Sequence, residues 1–146
     1  MTNYQHILVG IDLSDESQQV FERAQGLAQS HHAQLSLVHI IEPLTFAYGG
    51  DIPIDLSEIQ EQLHQQAKTH LADFCMSAGI SNEQAHIVVG QPVTEIHRLA
   101  NELNTDLVVV GSHGRHGLAL LLGSTANGVL HGAHCDVLAV RVKDQE

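Results

Sequence analysis

Apolar stretches rich in β-branched residues alternate along this chain with amphipathic segments, and this alternation is the feature that most restricts its fold. The five apolar stretches are six to nine residues long: His6–Ile11, Ala33–Ile41, Ala85–Gly90, Asp106–Gly111 and Asp136–Val142. Such runs are typical of strands buried on both faces, and strands that are separated by helices form parallel sheets. The pattern predicts one α/β domain over residues 1–146, a doubly wound parallel five-stranded sheet with helices on both faces.

The segments between the strands carry the end signals of helices. Ser14 is the predicted N-cap of the first helix, with Asp15 and Glu16 at the positive end of its first turn. Pro92 suits the first position of the helix before the fourth strand. A short final helix is predicted over Ser124–His131.

The longest helix is predicted to follow the loop between Pro43 and Pro53. Asp55 and Glu58 form a capping-box pattern at its start, and Gly79 fits the position after its end. The predicted buried stripe of this helix consists of Leu56, Ile59, Leu63, Ala67, Leu71 and Phe74.

Charge restricts the partners of the chain. The formal net charge is −11, and Lys and Arg together number only six. Since nucleic acids and anionic membranes are bound through clusters of cations, we expect neither as a partner. Any phosphate site must instead use backbone N–H groups and a helix N-terminus.

Targeting and redox signals favour the cytoplasm. No basic region precedes the first apolar stretch, and no apolar run reaches the length of a membrane span. Cys75 and Cys135 are far apart in the sequence and form no disulfide framework, which favours reduced thiols.

Two strand ends carry unusual residues. The first strand ends in "VGIDLS" (residues 9–14) and the fourth in "VGSHG" (residues 110–114). In an open doubly wound sheet, ligands bind outside the carboxyl ends of the strands, where the winding direction reverses. If these two strands are neighbours, one crevice has Asp12 on one wall and a glycine loop on the other.

The glycine loop has the features of an anion site. Gly111 and Gly114 allow a close backbone approach, and Ser124 and Thr125 begin a helix whose free N–H groups favour negative charge. Arg115, the only cation in the loop, is expected near the rim. Each feature also has a simpler interpretation: the glycines turn the chain, Asp12 caps the first helix or forms a turn, and Ile40 belongs to the core.

Catalytic and metal-binding signatures are missing from the sequence. There is no GxxxxGK[S/T] motif, no lysine in the glycine loop and no GxSxG motif, so we predict no catalytic residue and at most weak ATPase activity. Two histidine pairs, His113 with His116 and His131 with His134, have spacings that zinc would accept. They are interpreted as surface or hydrogen-bonded imidazoles, and no metal site is predicted.

Several stretches together resemble one family. "GSHGRHGLALLLGS" is similar to the G-x-x-G…G-[S/T] signature of the universal stress proteins, and "ILVGIDLSDES" to the opening of their first strand. "LVHIIE", "GQPVTEIHRLANELNTDLVVVGSHG" and "CDVLAVRV" resemble further blocks of the family, in the same order. The resemblance covers nearly the whole chain.

The resemblance implies a fold and a ligand. The fold is flavodoxin-like, with strand order 3-2-1-4-5, and dimers form through the last strand, Val137–Val142. Some members bind ATP with Mg²⁺. In those members, the adenosine part meets the positions that correspond to Gly10, Ile11, Asp12 and Ile40. The ribose and phosphates meet those that correspond to Gly111, Gly114, Gly123, Ser124 and Thr125.

The chain departs from the family pattern at one place. Eight residues separate Gly114 from Gly123, one fewer than in the signature, which changes where the helix N-terminus points. The stretch "AYGGDIPIDLSEIQEQL" also resembles the subgroup without nucleotide. The prediction is a cytoplasmic homodimeric stress-response factor that binds ATP, AMP or ADP. The alternative is a dimeric stress protein without nucleotide that acts through protein–protein interaction.

Overall fold

A parallel β-sheet forms the centre of the molecule. The computed structural model describes residues 3–43, 57–112 and 124–142. Within these residues the strands are β1 (His6–Gly10), β2 (Gln34–Ile41), β3 (Ala85–Val89), β4 (Leu107–Gly111) and β5 (Asp136–Val140). They form one sheet in the order β3-β2-β1-β4-β5, and each neighbouring pair is parallel. The predicted fold class and strand order are therefore confirmed.

Helices cover both faces of the sheet. They are α1 (Ser17–His31), α2 (Ser57–Ala78), α3 (Pro92–Glu102) and α4 (Ser124–Gly132), and a 3₁₀ turn (Asn82–Gln84) precedes β3. The core on one face contains residues of α1 and α2, and the core on the other contains residues of α3 and α4. Among the described helices, none is both long enough and apolar enough to cross a bilayer.

The central strand β1 contributes to both cores. Ile7, Leu8 and Val9 are fully buried, because neighbouring strands flank them and helices cover both faces. Side chains of a strand alternate between faces, so Ile7 and Val9 pack towards α1 and α2 while Leu8 packs towards α3 and α4.

Two predicted helix ends are confirmed. Gly79 follows α2 with a φ of +76°, and the amide of Ile80 donates to the carbonyl of Cys75 at 3.0 Å. This pairing is typical of a helix that ends in a left-handed residue. At the start of α3, Pro92 occupies the first turn and the side chain of Gln91 accepts from the amide of Thr94 at 2.7 Å.

The predicted N-cap of α1 is wrong. The helix begins at Ser17, its N-cap position is Glu16 without a side-chain cap hydrogen bond, and no acidic residue lies in its first turn. Ser14 donates its hydroxyl to the carboxylate of Asp12 instead. The chain first turns around Asp12, so Ser14 lies before the N-cap position of α1.

The predicted buried stripe of α2 holds only for its C-terminal half. Leu71 is buried and Phe74 is partly buried, but Ile59 is 47% exposed and Leu63 is 37% exposed. A helix of 22 residues is about 33 Å long, whereas a five-residue strand such as β3 spans about 17 Å. The helix is therefore longer than the sheet beneath it. Leu56 and Asp55 lie outside the described residues.

Candidate functional site

The winding of the chain reverses between β1 and β4. These strands are parallel neighbours, with Val9 opposite Val109, and they lead to β2 on one side and β5 on the other. Adjacent carboxyl ends at such a reversal leave a crevice for ligands. The strand order that the family resemblance implied makes the two unusual strand ends neighbours, and the structure confirms that order.

The loop after β1 is organised around the carboxylate of Asp12. Its Oδ1 accepts from the amide of Ser14 at 3.0 Å, from the Ser14 hydroxyl at 2.6 Å and from the Ser17 hydroxyl at 3.0 Å. Ser17 is buried at 2% exposure and begins α1. Asp12 thus forms a turn, which agrees with the simpler of its two interpretations from the sequence. Three donors hold Oδ1 in one position at the end of β1.

The same loop contains a strained residue. Leu13 has a φ of +60°, in the left-handed region that residues with a Cβ rarely adopt. A conformation of this kind costs about 1–3 kcal/mol and persists only where neighbouring contacts hold it. Here the hydrogen bonds from Ser14 and Ser17 to Asp12 connect the chain after Leu13 to the residue before it. Strain of this type is concentrated at ligand sites in proteins.

The residue before Asp12 is held by β2. The amide of Ile11 donates to the carbonyl of Val38 at 3.0 Å, and the carbonyl of Ile11 accepts from Nδ1 of His39 at 3.0 Å. No sequence motif pointed to His39. Its one signal was a polar residue near the end of an apolar strand, and the partner of that residue is 28 positions away.

Gly10 and Ile40 lie on the face of the sheet that α3 and α4 cover. A Cβ built on Gly10 would lie 3.5 Å from Val110 and 3.6 Å from Ile96, which is ordinary contact. Ile40 is partly buried and packs against the same core. Its interpretation as a core residue is therefore partly correct, although its partial exposure leaves surface for a ligand.

The second wall of the crevice is described only at its ends. Gly111 ends β4 opposite Val140, and the amide of Ser112 donates to the Val140 carbonyl at 2.7 Å. α4 begins at Ser124, and Thr125 in its first turn is half-buried. Gly114, Arg115 and Gly123 lie outside the described residues, so their roles stay predictions.

A separate cavity lies at the opposite, amino end of β4 and β5. It has a volume of about 290 Å³, and its lining includes His97, Thr105, His134 and Cys135. Nε2 of His97 donates to the carbonyl of Val129 at 2.9 Å, and burial followed by nearby Asp136 raises the pKa of the Cys135 thiol. A raised thiol pKa disfavours a nucleophilic cysteine. Over the described residues, no three potential metal ligands are grouped together.

Comparison with known sequences identifies the family. The family model described as "Universal stress protein family" matches residues 3–141. The chain belongs to the universal stress protein family. Universal stress protein A homolog 1 of Coxiella burnetii is 44% identical over 144 residues, which cover 97% of this chain and 99% of that protein. Universal stress protein A homolog 2 from the same organism is 42% identical over 147 residues, which cover 98% of this chain and 99% of that protein.

Solved universal stress proteins have the same fold. UspA from Lactobacillus plantarum is 28% identical, with a TM-score of 0.76 over 97% of this chain and 100% of that one. A universal stress protein solved in complex with cAMP is 29% identical, with a TM-score of 0.61, and the match covers 97% of this chain and 100% of that one. These likenesses confirm the family that the sequence motifs predicted.

Proposed function

We propose that this universal stress protein binds an adenine nucleotide, preferentially ATP, in the crevice between β1 and β4. The observation that carries the proposal is the strained Asp12 loop at the point where the winding reverses. Open α/β sheets bind ligands at this point. The relative solved with cAMP supports adenine nucleotides as the ligand class.

The adenosine part is proposed to lie against the β1 wall. Gly10 and Ile40 share one face of the sheet, and the partly exposed Ile40 offers an apolar surface for the base. The ribose is proposed to meet the Asp12 carboxylate, which the hydrogen bonds from Ser14 and Ser17 hold in place. Ile11 supplies neighbouring backbone.

The phosphates are proposed to lie against the glycine loop and the start of α4. Backbone amides at Gly111, Gly114 and Gly123 and the helix N-terminus at Ser124 and Thr125 would bind the anionic oxygens. Arg115 is proposed at the rim. Since the chain carries a formal charge of −11, a Mg²⁺ ion would reduce the repulsion between protein and triphosphate.

The nucleotide is proposed to be a signal rather than a consumed substrate. Rapid phosphoryl transfer needs a cationic clamp and a positioned base, and the loop sequence contains no lysine. The protein is therefore not proposed as an enzyme, with at most weak ATPase activity. Nucleotide occupancy would favour one conformation over another during the stress response in the cytoplasm.

A homodimer through the last strand is part of the proposal. Among the described strands, β5 pairs with β4 alone, so one of its edges is available to a second copy. Val137, Leu138 and Ala139 are only partly buried, and Leu130 of the neighbouring α4 is 52% exposed. An open strand edge beside apolar surface favours pairing with another chain.

The direct experiment is to identify and measure the ligand. The purified protein is denatured and the supernatant is analysed chromatographically for adenine nucleotides, and calorimetry then follows ATP, AMP and cAMP binding with and without Mg²⁺. Gly114→Val should weaken ATP binding at least about tenfold, since a branched side chain obstructs a close backbone approach to phosphate. Gly26→Ala is the matched control, because Gly26 lies on α1 and nothing lies within 4 Å of a Cβ added there.

The alternative function is that of an interaction protein without nucleotide. Ile59 and Leu63 lie one helical turn apart on α2 and are exposed, which favours a surface for a protein partner. Absence of released nucleotide, together with absence of heat on ATP addition, would support this alternative and reject nucleotide binding.

A further inference from the structure

The side chain of His39 crosses from β2 to the end of β1. Its Nδ1 lies 3.0 Å from the carbonyl oxygen of Ile11. Because a carbonyl oxygen has no proton to give, Nδ1 carries the hydrogen and donates it. The imidazole therefore acts as a fixed donor to the first residue beyond β1.

Both backbone polar groups of Ile11 are thereby held by β2. The Ile11 amide donates to Val38 at 3.0 Å, and the Ile11 carbonyl accepts from His39. The carbonyl of Ile11 and the amide of Asp12 belong to one rigid peptide plane. The hydrogen bond from His39 consequently fixes the rotation of the plane that leads directly into Asp12.

The orientation of that plane matters because the next residues have little freedom. Leu13 adopts a left-handed conformation, and Asp12 Oδ1 is shared by Ser14 and Ser17. Serine donors hold the carboxylate from the downstream side, and His39 holds the backbone from the upstream side. Without the upstream bond, the Asp12 carboxylate would be held from the downstream side alone.

We infer that His39 is a positioning residue of the nucleotide site. It does not touch the ligand, but it fixes the Ile11–Asp12 peptide so that the Asp12 carboxylate faces the ribose. This inference rests on the proposed nucleotide function for its effect on affinity. The effect on the loop itself is independent of any ligand.

Calorimetry with ATP tests the effect on affinity. His39→Leu removes the donor and should weaken ATP binding about tenfold, in the range expected when one buried hydrogen bond is broken. His39→Asn should bind within about threefold of the unsubstituted protein, because its amide nitrogen is attached to Cγ like Nδ1 and can donate in the same place. His86→Leu, on the edge strand β3, is the matched control and should leave affinity unchanged.

Amide hydrogen exchange without nucleotide tests the effect on the loop. In His39→Leu, the Ser14 amide that donates to Asp12 should exchange about tenfold faster, because local opening becomes easier. The Asp106 amide, which donates to His6 at the other end of the sheet, should keep its rate. His39→Asn should retain slow exchange at Ser14.

Calorimetry and hydrogen exchange together distinguish a failure of the inference from a failure of the proposed function. If the unsubstituted protein binds no nucleotide but Ser14 exchange still responds to His39→Leu, the proposed function fails and the loop-positioning role stands. If His39→Leu leaves Ser14 exchange unchanged, the inference is overturned, whatever happens to affinity. An equal loss in His39→Leu and His39→Asn would also overturn it.

Discussion

The two helix layers of this protein are built differently. The layer of α1 and α2 packs large side chains, and the rings of Phe21 and Phe74 meet edge to face with centroids 5.5 Å apart. In the layer of α3 and α4, Gly128 of α4 lies directly against Val93 of α3, leaving no space for a Cβ. The layer of α1 and α2 gains stability from the burial of large side chains, and the layer of α3 and α4 from the close approach of its two helices.

The difference assigns different tasks to the two faces. Gly10 and Ile40, which are proposed to meet adenosine, lie on the α3 and α4 face, and α4 begins at the crevice. Close packing against α3 fixes where the start of α4 lies. The opposite face contributes the larger apolar side chains. Five predictions test this contrast.

Phe21→Ala should have the largest effect. Phe21 is 1% exposed and packs in the α1 and α2 core, so truncation should lower the free energy of unfolding by about 3–5 kcal/mol. Urea unfolding followed by circular dichroism measures the loss. Met76→Ala, at a side chain that is 82% exposed on α2, should change stability by less than about 0.5 kcal/mol. Equal losses would contradict the assignment of stability to this core.

Gly128→Ala should destabilise the other layer by about 1–2 kcal/mol, since overpacking outweighs the gain in helix propensity. The new Cβ would lie 2.6 Å from Cγ2 of Val93, a short branched side chain that cannot swing away. Adding Val93→Ala should recover most of the loss in a double-mutant cycle. Additive losses would show that the two residues do not limit the approach of the helices.

The two thiols should differ in reactivity. Cys75 is 1% exposed in the α1 and α2 core, whereas Cys135 is partly exposed beside the other core. With a disulfide reagent at pH 8, Cys135 should react at least about tenfold faster than Cys75, because the pKa of both thiols is raised and access then governs the rate. Cys135→Ser should remove the fast phase, and a single common rate would contradict the difference in access.

The Cys75 thiol also predicts a pH dependence of stability. Burial raises its pKa above the ordinary 9.0, so the unfolded chain loses this proton at lower pH than the folded protein. Its contribution is therefore complete below pH 9.0 and declines as the pH rises through and above that value. Cys75→Ala should show a smaller decline in urea midpoint over this range.

Gly26→Ala should have the smallest effect on stability, and it should stabilise the protein where Gly128→Ala destabilises it. Nothing lies within 4 Å of a Cβ at Gly26 on α1, so alanine should raise the free energy of unfolding by about 0.5–1 kcal/mol through helix propensity. The same chemical change is thus expected to stabilise α1 and destabilise α4. A loss of stability at both glycines would remove the contrast between the layers.

Much of the fold was predictable because it depends on local pattern. Uninterrupted apolar runs predicted the strands, and Gly79 and Pro92 marked helix ends that the structure confirms. Ser14 was a misleading cap signal, because the chain turns around Asp12 and α1 begins only at Ser17. The apolar spacing at Ile59 and Leu63 was read correctly as helical, but spacing does not show how far a sheet extends beneath a helix.

The candidate site was predictable only in part. The Asp12 position and the reversal between β1 and β4 followed from sequence motifs and strand order. The hydrogen bond from His39 to Ile11 did not, because it joins residues that become neighbours only when β1 and β2 pair. The left-handed Leu13 was equally hidden, since a leucine carries no sequence signal for that conformation.

The bond between Asp12 and Ser17 has a consequence beyond the crevice. One carboxylate is shared between the mouth of the sheet and the buried first residue of α1. If the proposed nucleotide contacts Asp12, reciprocity requires that its binding make the first turn of α1 harder to open, and that opening of this turn lower the affinity for the nucleotide. Occupancy of the crevice would then change the stability of the first turn of α1, which a partner protein could detect on the outer surface of this helix without any domain movement.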